Sequence, residues 1–471
     1  MSRTRDLRDP GGVTDAQRIA ELEQENANLR RQVAELTKEL AELRKELEEW
    51  KRGHRERRRR RSSRVEGSRR ASGRGPGRPW GAKGSNRPVP EKIHSTVVHA
   101  APTVCDCGGR VEPTGEEQST VLQDIPRVEV QNTRHVAPVG RCVACGKRQV
   151  ARLPGSSEQG EPCAQVQLGS GIQALSIALH FEHHVPLRGV TQVLDRWFSV
   201  EVSASGLSQM FDRLGRRTAA ARNEILERLR HSPVVGFDET SHRQDGYGAW
   251  LWLGRTDEVS YFHVDRSRGG HVFAKILGEG FVGVLCSDFY SVYASRTDLL
   301  HGYCNAHTVR EARKNVEISP NPLNERFRVR LSDILAAGQD AQKTADPIAA
   351  EHVRRRLRRL IDTKSFRDDA DVARLQDRLD EHFEGVLRFV TRPDVPMTNN
   401  ASERDIRPAA VHRKVSGGTR SEGGSNTYGH WLSITQTLHK NDLDLRSWVD
   451  NVNQAYLLGK PSPSVLSPPP S

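Results

Sequence analysis

The sequence predicts a multidomain α/β chain, on three observations. From Pro233, three strand-like segments, a helix and a fourth apolar strand follow one another. A long run of charged helix formers, 308–390, then interrupts that pattern. Ahead of it lie a heptad repeat, two cysteine pairs and two amphipathic helices. At 471 residues the chain is longer than one ordinary domain and long enough for a large core.

Residues 1–14 read as a disordered tail and 15–50 as one long helix. Ile19, Asn26, Val33, Leu40 and Leu47 recur every seven residues; Leu22, Leu29, Leu36, Leu43 and Trp50 fill a second seam three residues later. Unbroken heptads flanked by Glu, Lys and Arg predict a coiled coil, a leucine zipper. Leucine in the second seam and a lone Asn26 in the first favour a parallel homodimer, with larger assemblies open. The alternative is an amphipathic helix packed on its own chain.

Residues 51–94 form a basic Gly/Pro-rich linker. Positions 51–90 hold fifteen Lys/Arg against two Glu, whereas the whole chain has a net charge of +12. The basicity is therefore local, and a block of this kind contacts phosphate. Arg57, Arg58, Arg59, Arg60 and Arg61 are continuous. The segment Gly-Arg-Gly-Pro-Gly-Arg-Pro-Trp at 73–80 excludes helix and central strand. It sets Arg78 in a Gly-Arg-Pro context like that of minor-groove hooks. A solvated linker and a DNA-contacting arm both fit.

Residues 95–155 carry Cys105-x-Cys107-Gly-Gly and Cys142-x-x-Cys145-Gly-Lys, with strand-like segments at 119–122 and 127–130 between them. Cysteine pairs on glycine turns are how a zinc ribbon presents four thiolates to a structural Zn2+. The C-x-C pair is tighter than usual, so His99 or His135 is an alternative ligand; four free cysteines are the other reading. Residues 163–230 read as helical. Leu187–Phe198 and Ser205–Leu214 have helical apolar spacing, with Ser203 or Ser205 as a cap. They suit a helix-turn-helix DNA-binding domain or a plain helical hairpin. No run of 18 apolar residues and no signal-peptide core occurs. Seven cysteines, an odd number, argue against a secreted disulfide framework and for a reducing cytoplasm.

Residues 231–445 read as a ribonuclease H-like domain with the helical insertion 308–390, followed at 446–471 by a helix and a disordered tail. Strands are expected at Val234–Glu239, Ala249–Gly254, Val259–Val264 and Val282–Cys286, with a helix at Gly270–Leu277. That order makes the first and fourth strands neighbours. Asp238 then ends the first strand and Asp288 follows the fourth. Glu403, 115 residues beyond Asp288, returns on a helix capped by Asn400. Read locally, Asn-x-x-Glu is nearly a capping box. Together, two strand-end aspartates and a helix-borne glutamate are what two-metal phosphoryl transfer requires. His301-x-x-Cys304-x-x-His307 has metal-like spacing but no evident fourth ligand, so packing or DNA contact is favoured.

These residues carry a resemblance. Asp-Glu-Thr (238–240), Ser-Arg-Gly (267–269), Ser-Asp-Phe-Tyr-Ser-Val-Tyr (287–293), Cys-Asn-Ala-His (304–307) and Asn-Asn-Ala-Ser-Glu-Arg-Asp-Ile-Arg-Pro (399–408) are similar to signatures of insertion sequence 66 family transposases. The resemblance covers nearly the whole chain. It implies a DDE transposase domain whose triad is Asp238, Asp288 and Glu403, holding two Mg2+ (or Mn2+) ions. It further implies double-stranded DNA as partner, at element ends and target, and accessory proteins encoded by the element. A bacterial, nucleoid-associated location follows. Phe289 stands where the family often has Gly. Arg404, Arg407 and Arg413 are candidate DNA contacts near the triad. The competing class is a catalytically silent DNA-binding regulator derived from a transposase; a coiled-coil scaffold leaves the triad unexplained.

Overall fold

A computed structural model describes residues 17–20, 22–34, 37, 87–112, 114–154 and 166–467. The chain divides into two units, Met1–Asp124 and Ile125–Ser471. In the first, residues 17–20 and 22–34 are helical, and Ile19, Leu22, Leu29 and Val33 of the heptad seams are each more than half exposed. The later seam positions, together with Arg57 to Arg61 and Arg78, lie outside the described residues. Around Cys105 and Cys107 the chain makes one bridge, Val104 with Arg110. The strands expected at 119–122 and 127–130 do not form.

The second unit begins with an antiparallel pair, β1 (Val139–Arg141) and β2 (Arg148–Val150), flanking the turn of Cys142 and Cys145. Four helices follow: α1 (Ser170–Ile177), running into a π turn at Ala178–Glu182, α2 (Leu187–Phe198), α3 (Ala204–Arg217) and α4 (Ala219–Arg230). Ser203 caps α3 by accepting the Gly206 N–H at 3.0 Å. Leu207, Met210, Phe211 and Leu214 bury one face of α3, while Ser208, Gln209, Asp212 and Arg216 lie on the exposed one.

The central sheet holds β3 (Val234–Gln244), β4 (Tyr247–Arg255), β5 (Ser260–Asp265), β6 (Val284–Ser287) and β7 (Leu300–Tyr303), in the order β5-β4-β3-β6-β7. The β3–β4 and β4–β5 pairs are antiparallel; β3–β6 and β6–β7 are parallel. This mixed α/β sheet is consistent with a ribonuclease H-like core. Asp245 and Gly246, both at positive φ, close β3 onto β4 in a two-residue turn suited to the strand twist. β3 thus runs beyond the expected Glu239, and Asp238 lies inside the strand rather than at its end. Between β5 and β6 lies α5 (Gly270–Leu277), with its expected bounds, and between β6 and β7 the short α6 (Ser291–Ala294).

The insertion is helical: α7 (Asn305–Ile318), α8 (Pro322–Thr344), α9 (Pro347–Asp362), a 3-10 turn at Lys364–Asp368, α10 (Ala370–Glu381) and α11 (Phe383–Thr391). Then come α12 (Asn400–Ser416), α13 (Glu422–Lys440) and α14 (Leu445–Leu457). Two hydrophobic cores result. One joins Val235, Phe237, Leu253 and Phe262 of the sheet to Phe211, Phe273 and Trp431. The other joins Val284, Cys286 and Tyr303 of β6 and β7 to Phe327, Leu357, Leu375 and Phe389 of the insertion. Both outer strands are covered by helix side chains. Ser433 and Thr437 of α13 accept the N–H groups of Phe262 and Ser260 on β5, at 2.8 and 3.2 Å. Arg388 of α11 donates to the carbonyl of His301 on β7 at 2.7 Å.

Candidate active site

The carboxylates come from β3, from the residue after its sheet neighbour β6, and from α12, whose start is tied to β3. Asp238 is within β3, and its Oδ1 accepts the Glu239 N–H at 2.9 Å. Burial pushes its carboxyl up to about 7; the negative charges of Glu239, Asp288 and Glu403 add to the rise. Asp288 follows β6, the parallel neighbour of β3, and its Oδ1 accepts the Tyr290 N–H at 3.0 Å. Phe289 stacks on Tyr303, ring centroids 4.5 Å apart, with the Arg378 guanidinium over its ring. The loop after Asp288 is thereby anchored to the insertion. Glu403 arrives on α12, about a third exposed, with His307 Nε2 at 3.8 Å and Arg310 Nη2 at 3.9 Å.

The asparagines act differently from the expectation. Asn399, not Asn400, precedes the helix, and no side chain caps it. Asn399 is buried; its Nδ2 donates to the Phe237 carbonyl at 2.8 Å and its Oδ1 accepts from Ser402 Oγ at 2.6 Å. Its backbone N–H meets Cys304 Sγ at 3.1 Å, and Cys304 N–H bonds the carbonyl of Ser287. One residue therefore ties the start of α12 to the peptide before Asp238 and, through Cys304, to the strand before Asp288. Gly236 leaves room for this: a Cβ there would lie 2.5 Å from Ser402 Oγ. One turn on, Asp405 accepts from Arg255 Nε at 2.9 Å and pairs with Lys440 Nζ at 2.7 Å, joining α12 to β4 and α13.

Three neighbours escaped the sequence reading. Glu239 points to the other face of β3, where Arg268 binds it at 2.6 Å and the Tyr293 hydroxyl donates to it. His307 and Arg310 reach Glu403 from the start of α7, nearly a hundred residues earlier in the chain. The sequence signals for His307 were its cysteine-histidine spacing and its place in Cys-Asn-Ala-His, and the structure separates the spaced residues. His301 stacks on Tyr303, Cys304 turns to Asn399, and His307 faces Glu403.

The predicted DNA-contacting arginines divide. Arg404 and Arg407 are exposed on α12. Arg413 lies against β3, its Nη1 donating to the Ser241 carbonyl and Thr240 Oγ1. Each cysteine pair lies on a turn of its own unit. Cys105 and Cys107 belong to the first unit, Cys142 and Cys145 to the second. In each pair, a backbone N–H of the later cysteine lowers the pKa of the earlier thiol. Among the described residues, no three His, Cys, Asp or Glu side chains are gathered as a ready-made metal cluster. Nor is any helix among them long and apolar enough to cross a membrane.

Uncharacterized protein y4jO of Sinorhizobium fredii is 30% identical over 152 residues, 31% of this chain and 46% of that protein. Uncharacterized protein y4qI of the same organism is 27% identical over 306 residues, 56% of each. A third, y4hP, is 23% identical over 432 residues, 78% of this chain and 73% of its own. The chain thus spans about half the length of the first two, and the names of all three are silent on activity. Residues 165–427 match the Transposase IS66 family, a span running from the helices before the sheet through the insertion to α13. That span is more than half of the chain, and the chain belongs to the IS66 family of transposases.

Proposed function

We propose that this protein cuts and joins double-stranded DNA by metal-dependent phosphoryl transfer, with Asp238, Asp288 and Glu403 as metal-binding carboxylates. The observation that carries the reading is that Asp238 on β3, Asp288 after the neighbouring β6 and Glu403 on α12 come from elements joined by strand pairing and by Asn399. In this reading, carboxylates from three separate elements act on one point. Family membership implies a phosphoryl-transfer enzyme that uses divalent ions.

The donor set fits such ions. Carboxylate oxygens suit Mg2+ or Mn2+, and a buried aspartate among negative neighbours is a charge that a cation relieves. Bound divalent ions supply the charge that activates an attacking water or 3′-hydroxyl and stabilises the leaving oxygen. Asp238 is the shared ligand in this reading, because its strand pairs with β6 and is tied by Asn399 to the start of α12. Asn399 and Ser402 set the distance between α12 and β3, and hence between Glu403 and Asp238. Arg268 and Tyr293 immobilise Glu239 and with it the strand that aims Asp238. His307 and Arg310, with the exposed Arg404 and Arg407, face the DNA phosphates beside the site. Pairing of two copies through the heptads at 15–50 belongs to the same proposal.

The test is strand transfer with purified protein, Mg2+ and DNA carrying the element ends. Asp238→Asn is expected to abolish joining while DNA affinity, read by fluorescence anisotropy, stays at the wild-type level. Joining by that variant at the wild-type rate overturns the assignment. A wild type that binds these ends but never cuts or joins them, in Mg2+ or Mn2+, is instead a DNA-binding regulator.

A further inference from the structure

The helical insertion has a feature that the triad does not use. Between α8 and α9 lies a hollow of about 340 Å3 lined by Arg330, Ile334, Arg356, Arg359, Leu360 and Thr363. Three of its six lining residues are arginines. Arg356 and Arg359 are three apart on α9, so they share a helix face; Arg330 comes from α8.

Six other arginines of the insertion are neutralised, whereas Arg313, Arg326 and Arg388 show no ion pair among the described residues. Arg328 pairs with Glu325, Arg354 with Glu384, Arg358 with Asp380, Arg367 with Asp377, Arg374 with Asp371 and Arg378 with Glu311. Among the described residues, Arg330, Arg356 and Arg359 have no such ion pair. Like charges one helical turn apart repel, and here they converge with a third on a concave surface. Ile334 and Leu360 supply apolar wall, which strengthens the field felt inside. The arrangement is matched to an anion with several acceptor oxygens, because each guanidinium presents a planar fork of donors. The hollow has room for a phosphate and part of a sugar, and no room for a duplex to enter it. Its contact is therefore with the backbone and is blind to sequence.

We propose that this hollow binds a backbone phosphate of DNA, making the insertion a second, sequence-independent contact for the nucleic acid. The proposal rests on the reading of DNA as substrate, but its test reads binding rather than chemistry. The full chain and the triple variant Arg330→Gln/Arg356→Gln/Arg359→Gln are titrated with labelled duplex DNA across a salt series. Losing one phosphate contact lowers the slope of log affinity against log salt by about one, and weakens binding about tenfold near 0.1 M salt. The loss is expected to be equal on duplexes of unrelated sequence. The triple Arg→Lys variant keeps the charge and is expected to restore the slope. Thermal melts of the three proteins are expected to stay close, since among the described residues these arginines hold no ion pair and Arg330 has only a distant contact with the Phe366 ring.

A Gln variant with the wild-type slope and affinity overturns the proposal, and points to an acidic protein segment as occupant. A Lys variant as weak as the Gln variant overturns it as well, because charge is then not the attraction. The catalytic reading fails separately. Strand transfer can be absent while the salt slopes still differ as expected, or present while they coincide.

Discussion

Replacing Gly236 by Ala tests the link between the α12 clamp and catalysis. The added Cβ would lie 2.5 Å from Ser402 Oγ, 3.1 Å from Asn399 Oδ1 and 3.2 Å from Arg255 Cγ. The first contact is roughly 1 Å inside ordinary van der Waals distance. Ser402 is fully buried and Asn399 nearly so, so neither side chain can swing into solvent. The start of α12 must move off β3, carrying Glu403 with it. Overpacking of this size costs about 1–3 kcal/mol, a loss of several degrees in melting temperature for a unit this large. The effect on joining is larger, because a displacement of ~1 Å in a reacting assembly costs on the order of a hundredfold in rate. The assay is single-turnover strand transfer over a Mg2+ series, beside thermal melts. Ser402→Ala on the same background removes the Oγ that clashes. The double variant is therefore expected to recover most of the lost rate, a non-additivity that two independent lesions would not show. Gly236→Ala with wild-type rate and Mg2+ midpoint would refute the reasoning, as would a double variant slower than either single one.

Further outcomes follow from charge and burial. Since burial and its negative neighbours hold Asp238 near 7, Mg2+ binding at pH 6.5 is expected to release a proton. Affinity then rises with pH and levels off above about 7; calorimetry in buffers of different ionisation enthalpy reads this, and no proton release speaks against the shared-ligand role. Burial lowers His242 to about 4, and His412 and His430 to about 3. Each stays neutral in the fold while its unfolded counterpart takes up a proton below about 6.5. Stability is thus lost as pH falls from 6.5 towards 4, by roughly 1.4 kcal/mol per pH unit for each histidine. Melts between pH 7 and 5 that stay level would contradict this. Asp405→Asn removes the mostly buried carboxylate that Arg255 and Lys440 share, leaving only the exposed Asp257 beside Arg255. A loss of roughly 3 kcal/mol in denaturant unfolding is expected, and an unchanged midpoint would count against a stabilising role for the pair.

The sheet was legible because its strands are short apolar runs ended by turn residues. Val284–Ser287 and Ser260–Asp265 fall within a residue or two of expectation, and the bounds of α5 coincide with it. The far half of β3 was not legible. Thr240 to Gln244 is polar, and it is strand only because β4 pairs with it and Arg413 and Thr419 bond to it. The segments at 119–122 and 127–130 failed for the opposite reason: their β-branched residues have strand propensity but no partner strand. The proposed triad of Asp238, Asp288 and Glu403 rests on residue type and order. What surrounds these residues was not legible that way, since Glu239 takes the opposite strand face and His307 and Arg310 arrive by tertiary packing. The two adjacent asparagines show the limit most sharply, since their order in sequence does not reveal that Asn399 serves a neighbouring strand rather than its own helix.

The side chains that seal β5 and β7 bear on how copies of this chain can meet. An outer strand with free N–H and C=O groups is a template for the next chain, and proteins that leave one open risk growing into aggregates. Here Ser433 and Thr437 occupy donors on one border, and Arg388 occupies an acceptor on the other. Sheet-to-sheet growth is thus resisted at both borders, and assembly must use other surfaces. The insertion then guards solubility as well as adding bulk. A minimal catalytic fragment made by excising 308–390 would uncover β7 and is expected to precipitate, however complete its carboxylates.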